Sequence, residues 1–272
     1  MARPRSWITF PHSPPGIVVY NHEPCARALI EAGANINATE KDGRTALMLA
    51  STMGHEPCAF ALIKAGANIN AIEEDGRTAL MAASLHGHEP CARALIEAGA
   101  NINATEENGS TALMIASENG HEPCARALIE AGANINATGK NGWTALMITS
   151  TMGHEPCARA LIEAGANINA TQERGRTALM FASEYGHEPC ARALIEAGAN
   201  INATEENGST ALMIASENGH EPCARALIKA GPNINATGKN GWTALMIATE
   251  MSHEPCARAL IRALIEAGAK RD

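Results

Sequence analysis

The tetrapeptide His-Glu-Pro-Cys begins at positions 22, 55, 88, 121, 154, 187, 220 and 253. An imidazole, a carboxylate and a thiol within four residues are the groups that bind zinc, or that make a cysteine nucleophile with a histidine base. Each chemistry sets a geometric demand. Zinc needs three or four ligand atoms at about 2.0 to 2.3 Å. A Cys–His pair needs a third group to orient the base. The zinc-deaminase pattern, H-x-E with a separate P-C-x-x-C, is close to these letters. It fails here because Cys58 is followed by Ala59, Phe60 and Ala61. The elements that carry the eight copies decide whether any such site can assemble.

Those elements repeat. Gly43, Gly76, Gly109, Gly142, Gly175, Gly208 and Gly241 stand 33 residues apart, each opening a unit G-x-T-A-L-M-x-A-S/T-x-x-G-H-E-P-C. Thr149 replaces the template alanine, and Ser252 the second glycine. A longer period of 99 is superposed: residues 109–141 match 208–240 except at Glu130/Lys229 and Ala133/Pro232. Within a unit, Thr45 is placed to cap a short helix over Ala46–Ser51. Gly54 closes it, and Pro57 falls in the first turn of a second helix, where its missing N–H costs nothing. Cys58, Ala59, Leu62 and Ile63 give that helix an apolar stripe, and Gly66 supplies a left-handed stop. The polar run from Asn68 to Gly76 reads as a turn or hairpin leading to the next Thr. On the outer side, Glu89 and Arg93 are spaced for an ion pair across one helical turn.

A 33-residue unit with G-x-T-x-L, then A-x-x-G-H, then L-I-x-A-G-A-x-I-N-A resembles the ankyrin repeat, over roughly residues 21–272. The resemblance implies an all-α fold of helix–turn–helix repeats with β-hairpin loops, stacked as an ankyrin-repeat α-solenoid. On this reading residues 1–20 form an irregular N-terminal cap and 21–42 a truncated leading repeat whose helix starts near Glu23. Six full repeats occupy 43–240, and 241–272 is a C-terminal capping repeat. The doubled Arg-Ala-Leu-Ile lengthens its last helix by four residues, extending the Leu260/Leu264 and Ile261/Ile265 stripes, and Lys270 and Arg271 follow near its C-terminus. Two departures stand out. Met48 and its equivalents replace the histidine of the family's T-P-L-H, and Ala59 and Ala61 replace branched aliphatics. Each of the latter losses removes roughly 1.5 kcal/mol at full burial, so stability is expected to come from stacking many weak units.

In such a stack neighbouring helices lie about 8 to 10 Å apart. One His and one Cys per repeat then cannot readily converge on one ion, and equivalent cysteines exceed the roughly 7 Å reach of a disulfide. The resemblance implies that the Gly-His pair closes the turn between helices and that the cysteine faces inward, where it acts as a small hydrophobe. No metal, cofactor or catalytic residue is therefore expected. Metal-dependent or catalytic use of the cluster remains the alternative.

If invariant letters build the scaffold, the varying ones are candidates for partner binding. The resemblance implies recognition by hairpin tips and first helices on a concave face. The residue after the unit glycine is Arg44, Arg77, Ser110, Trp143, Arg176, Ser209 or Trp242. The pair before the inter-helix glycine position includes Met53, Leu85, His86, Met152, Tyr185 and Met251, and Lys140 and Lys239 lie at basic hairpin tips. Units 76–108 and 175–207 differ only at Ala82/Phe181, Leu85/Glu184 and His86/Tyr185. Trp143 and Trp242 are the sharpest candidates, because exposed tryptophan is a frequent interface anchor; packing of each ring on its neighbouring hairpin is the other reading.

Composition sets the outer limits. The 272 residues carry 29 acidic against 21 basic side chains, a formal charge of −8, with 46% apolar and 3% aromatic content. An acidic surface does not suit a phosphate backbone, and no run reaches the roughly 18 to 20 apolar residues of a membrane span. Pro11, Pro14 and Pro15 interrupt any signal-peptide core, which points to an intracellular, cytoplasmic protein; a monomer is expected. The expected function is non-catalytic binding of a partner protein. The resemblance adds a third possibility, that hairpin asparagines such as Asn70 and Asn103 are substrates of hydroxylation.

Overall fold

A computed structural model describes residues 23–269. The irregular segment expected over 1–20 lies outside the described residues, as do Lys270 and Arg271. The described chain divides into two compact units, the first ending at Asn101 and the second beginning at Ile102.

In the first unit α1 (Glu23–Glu31) is followed by two helix pairs, α2 (Ala46–Thr52) with α3 (Glu56–Lys64) and α4 (Ala79–Leu85) with α5 (Glu89–Glu97). The second unit holds α6 (Ala112–Glu118), α7 (Glu122–Glu130), α8 (Ala145–Met152), α9 (Glu155–Glu163), α10 (Ala178–Glu184) and α11 (Glu188–Glu196). It continues through α12 (Ala211–Glu217), α13 (Glu221–Lys229), α14 (Ala244–Glu250) and α15 (Glu254–Ala269).

Each boundary has a local cause. The threonines from Thr45 to Thr243 sit in extended backbone, and each hydroxyl accepts the N–H of the methionine three residues on. This satisfies one of the donors a helix start leaves open. At α2 the substitution of Met48 for a histidine keeps part of a capping box. The Thr45 N–H points at the Met48 sulfur at 3.4 Å, a weak acceptor in place of an imidazole. At the other end of α3, Gly66 adopts φ +87°, its N–H reaches Ile63 O, and Ala67 N–H reaches Leu62 O. That paired closure needs the left-handed residue.

The loops between pairs are tighter than hairpins with true strands. Among the described residues no strand forms; single antiparallel bridges join Thr39 to Thr45, Thr105 to Thr111 and Thr204 to Thr210. One rung suffices because the second threonine of each bridge is already the helix cap. The loop from α7 to α8 shows a variant, a short 3-10 turn at Lys140–Gly142 with Asn141 at φ 59°.

Helices form two layers within each unit. In the second, α6, α8, α10, α12 and α14 pack in succession as one layer, and α7, α9, α11, α13 and α15 as the other. The core between them is Leu146 and Met147 from a first helix against Cys157, Ala158 and Leu161 from a second, repeated along the row. The small residues at the second-helix positions lie inside this core: Ala125, Ala158 and Ala191 are fully buried. On the outer layer Arg126 pairs with Glu122 on its own helix and with Glu163 of the next at 3.2 Å. Helix α15 runs sixteen residues where the other second helices run nine. The duplicated Arg-Ala-Leu-Ile accounts for four of them, and the helix also continues through Ala267, Gly268 and Ala269 instead of stopping after its glutamate.

Candidate functional site

The His-Glu-Pro-Cys cluster comes apart in three dimensions. The histidines at 88, 154, 187, 220 and 253 reach the preceding pair of helices. His154 Nε2 lies 3.0 Å from Glu118 O, His187 Nε2 2.9 Å from Thr151 O and His220 Nε2 2.9 Å from Glu184 O. In the first unit His88 Nε2 meets Thr52 O at 3.1 Å. Each carbonyl ends a first helix, where backbone acceptors lack intrahelical partners. The glycine beside it leaves room for the ring: a Cβ on Gly120 would stand 2.6 Å from His154 Nδ1. The imidazole is thus a strut between repeats, and not only a closure of its own turn.

The cysteines take the opposite direction. From Cys58 to Cys256 they are buried and unbridged, and Cys25 is exposed. Burial pushes the Cys91, Cys157 and Cys223 thiols up to about 11 and Cys190 to about 12. A thiol held neutral at physiological pH is a poor nucleophile and a poor ligand. Among the described residues no three His, Cys, Asp or Glu side chains gather as a metal-binding group.

The arginines singled out in the sequence are engaged within the chain. Arg44 pairs with Asp42 at 2.8 Å and Glu40 at 3.1 Å. It also lies, with Arg77, near Glu73, whose carboxyl burial raises and the two guanidiniums pull back down. Arg176 is mostly buried between Glu184 at 2.7 Å and Glu205 at 3.2 Å, with its guanidinium 4.5 Å from the Phe181 ring centre. Met53, Met152, Tyr185 and Met251 are exposed, as is His86, while Leu85 is half-buried. The Tyr185 ring stacks on His187 at 6.4 Å.

Trp143 is not an open anchor. Its ring lies 4.4 Å from that of Phe181, tilted by 30°, and is half-buried. It packs on the first helix of the following repeat. Trp242 is 39% exposed. Between the loop carrying Lys140 and helices α6 and α8 lies a groove of about 400 Å³. Its walls include Met114, Glu118, Lys140, Trp143, Ile148 and Met152. Three of these, Lys140, Trp143 and Met152, were candidates from the sequence. Glu118 belongs to the variable pair before the inter-helix glycine, whereas Ile148 was not singled out, although its position varies between units and that variation was the available signal. Met114 is constant across units and gave none.

The asparagines form a second feature that the spacing did not disclose. Asn134 Oδ1 accepts the N–H of Asn136 at 3.2 Å, and Asn136 Oδ1 accepts that of Asn167 in the next loop at 2.8 Å. The pattern recurs through Asn169 and Asn200 to Asn202 and Asn233.

Loop, helix pair and strut together match a known repeat. The family model described as "Ankyrin repeats (3 copies)" fits residues 61–139, 132–205 and 197–270, and "Ankyrin repeats (many copies)" fits 17–63. The chain belongs to the ankyrin repeat family. Among solved structures it is similar to the human ASB11 ankyrin repeat domain, with 27% identity and a TM-score of 0.72, over 81% of this chain and 98% of that one. No curated protein matches it. Ankyrin repeats are generally protein–protein interaction modules, and among the described residues no helix is long and apolar enough to cross a membrane.

Proposed function

We propose that this ankyrin array is a non-catalytic scaffold that holds a partner protein on its hairpin tips and first helices, the concave face of the family. One observation carries the reading. The groove beside Trp143 is walled mainly by positions that vary between repeats, whereas in the repeats over 43–240 the invariant Thr, Leu, Met, Cys and Ser positions are buried in the stack. Met152 contributes apolar surface on its rim and Lys140 an exposed charge, the mixture of apolar anchor and polar edge that interfaces use. The test is a pull-down comparing wild type with Trp143→Ala/Trp242→Ala and with Lys140→Glu. Loss of the same bound protein in both supports groove recognition; an unchanged set of bound proteins overturns it.

A second reading is favoured by exposure. Asn70 and Asn103 present their side chains at the surface of the loops, within reach of a modifying enzyme. Intact mass after expression in the native host would show the addition of one oxygen per modified asparagine, and an unmodified mass would dismiss it.

A further inference from the structure

The 99-residue period copies the letters that line the groove. Of the eleven residues around it, ten recur 99 positions later, with Glu250 in place of Thr151 as the single change. Met213, Glu217, Lys239, Trp242, Ile247 and Met251 are the second set. Two of the hydrogen bonds that place them recur, although the turn itself differs: Asn141 stands at φ 59° in a 3-10 turn, whereas Asn240 accepts the Trp242 N–H on its side chain at 3.0 Å. Gly139 N–H donates to Trp143 O at 2.9 Å and Lys140 N–H to Asn108 O at 3.1 Å; Gly238 N–H donates to Trp242 O at 3.0 Å and Lys239 N–H to Asn207 O at 2.9 Å. Both sets of residues lie in the second unit, on or beside the same layer of first helices.

Each groove has a polarity. Lys140 stands on the loop before α8, while Glu118 and Met152 close the far ends of α6 and α8. An eight-residue helix rises about 12 Å at roughly 1.5 Å per residue. An ammonium and a carboxylate therefore mark opposite ends of an apolar floor as long as about four extended residues. The complementary ligand has an acidic group at one end, one or two apolar side chains between, and a basic group at the other. In the second groove Glu250 doubles the negative charge at the Glu217 end.

Deepening the scaffold reading above, on which this rests, we infer that the array is bivalent. Its partner is a protein segment bearing two copies of an acid–apolar–base motif, one for the Trp143 groove and one for the Trp242 groove. Three repeats at roughly 8 to 10 Å each separate the grooves by about 24 to 30 Å. An extended linker covers that span with about eight residues or more. The two sites differ in support: Phe181 fixes the Trp143 ring from behind, whereas among the described residues no ring packs on Trp242, so the first groove is the tighter.

The test selects from a random library of twelve-residue peptides displayed on phage against the whole chain. Enriched peptides should share the acid–apolar–base core and bind at two per chain in calorimetry. Lys140→Glu and Lys239→Glu, both at exposed loop positions, should each remove one of the two. A synthetic tandem of the selected core joined by ten Gly/Ser residues should bind at least about tenfold tighter than the single core, and lose that gain in either variant. Binding at one per chain, no gain from the tandem, uncharged cores, or no enrichment would each overturn bivalency. If a single-site result accompanies loss of the cellular partner in the pull-down variants, bivalency alone is wrong and the scaffold reading stands.

Discussion

Asn103 Oδ1 accepts the backbone N–H of Asn134, in the next loop, at 2.8 Å. The bond uses only the carbonyl half of the amide. Asn103→Asp keeps that acceptor and should leave stability within about 0.5 kcal/mol, whereas Asn103→Ala should cost about 1 kcal/mol, the net worth of one such hydrogen bond. Amide exchange at Asn134 should accelerate in the alanine variant and stay slow in the aspartate. Equal acceleration in both would show that the oxygen is not what holds the loops.

The strut between Gly120 and His154 gives a second prediction. Gly120 and Gly132 both adopt positive φ, at +70° and +87°, but a Cβ on Gly132 meets nothing within 4 Å. Gly132→Ala should therefore cost only the left-handed penalty, about 1 to 2 kcal/mol. Gly120→Ala adds a clash with the imidazole and loosens its contact with Glu118 O, so urea unfolding should show at least about 1 kcal/mol more. In Gly120→Ala/His154→Ala the two effects should be less than additive, because the second change removes what the first collides with.

The fold was readable because punctuation and period agree. Thr45, Pro57 and Gly66 each allow a single role, and repetition multiplies a weak local signal. The cluster's fate was partly readable: spacing showed that His and Cys could not share an ion, yet not that His154 reaches Glu118 of the previous repeat. That contact depends on how repeats stack, which no single 33-residue unit encodes. Trp143 shows the same limit. Its neighbour Phe181 is 38 positions away and stands where other units carry Leu49, Ala82 or Ile115, so exposure at Trp143 is decided by a letter in another repeat.

Alkaline pH should weaken the array through its buried thiols. In the unfolded chain thiols ionise near about 8.5, whereas burial holds Cys91, Cys157 and Cys223 neutral up to about 11 and Cys190 to about 12. Between these limits the folded state binds more protons than the unfolded one, so unfolding free energy falls as pH rises. The thiol contribution is complete below pH of about 8.5 and lost by about 11 to 12. Cys190→Ala should flatten the decline by up to about 1.4 kcal/mol per pH unit, measured by urea midpoints from pH 8 to 10.5. The cavity it leaves lowers stability by a pH-independent amount, so the slope separates the two. At pH 8 a thiol reagent should label Cys25 at once and the buried seven only on unfolding.

Position in the stack, more than residue type, sets tolerance to change. Met213 and Met246 occupy the same place in identical Thr-Ala-Leu-Met-Ile-Ala stretches, yet Met213 is 1% exposed and Met246 55%. The difference is the following first helix: α14 covers α12, and among the described residues no further first helix follows α14. Met213→Lys would bury an unpaired ammonium and should lower stability by several kcal/mol, at roughly 3 or more. Met246→Lys keeps its charge in water and should change stability by no more than about 0.5 kcal/mol. The same holds for Ile265→Lys on α15, a residue 67% exposed. Thermal melts of the three variants decide it. If Met246→Lys unfolds the chain as Met213→Lys does, the terminal face is covered in solution by something these helices do not supply.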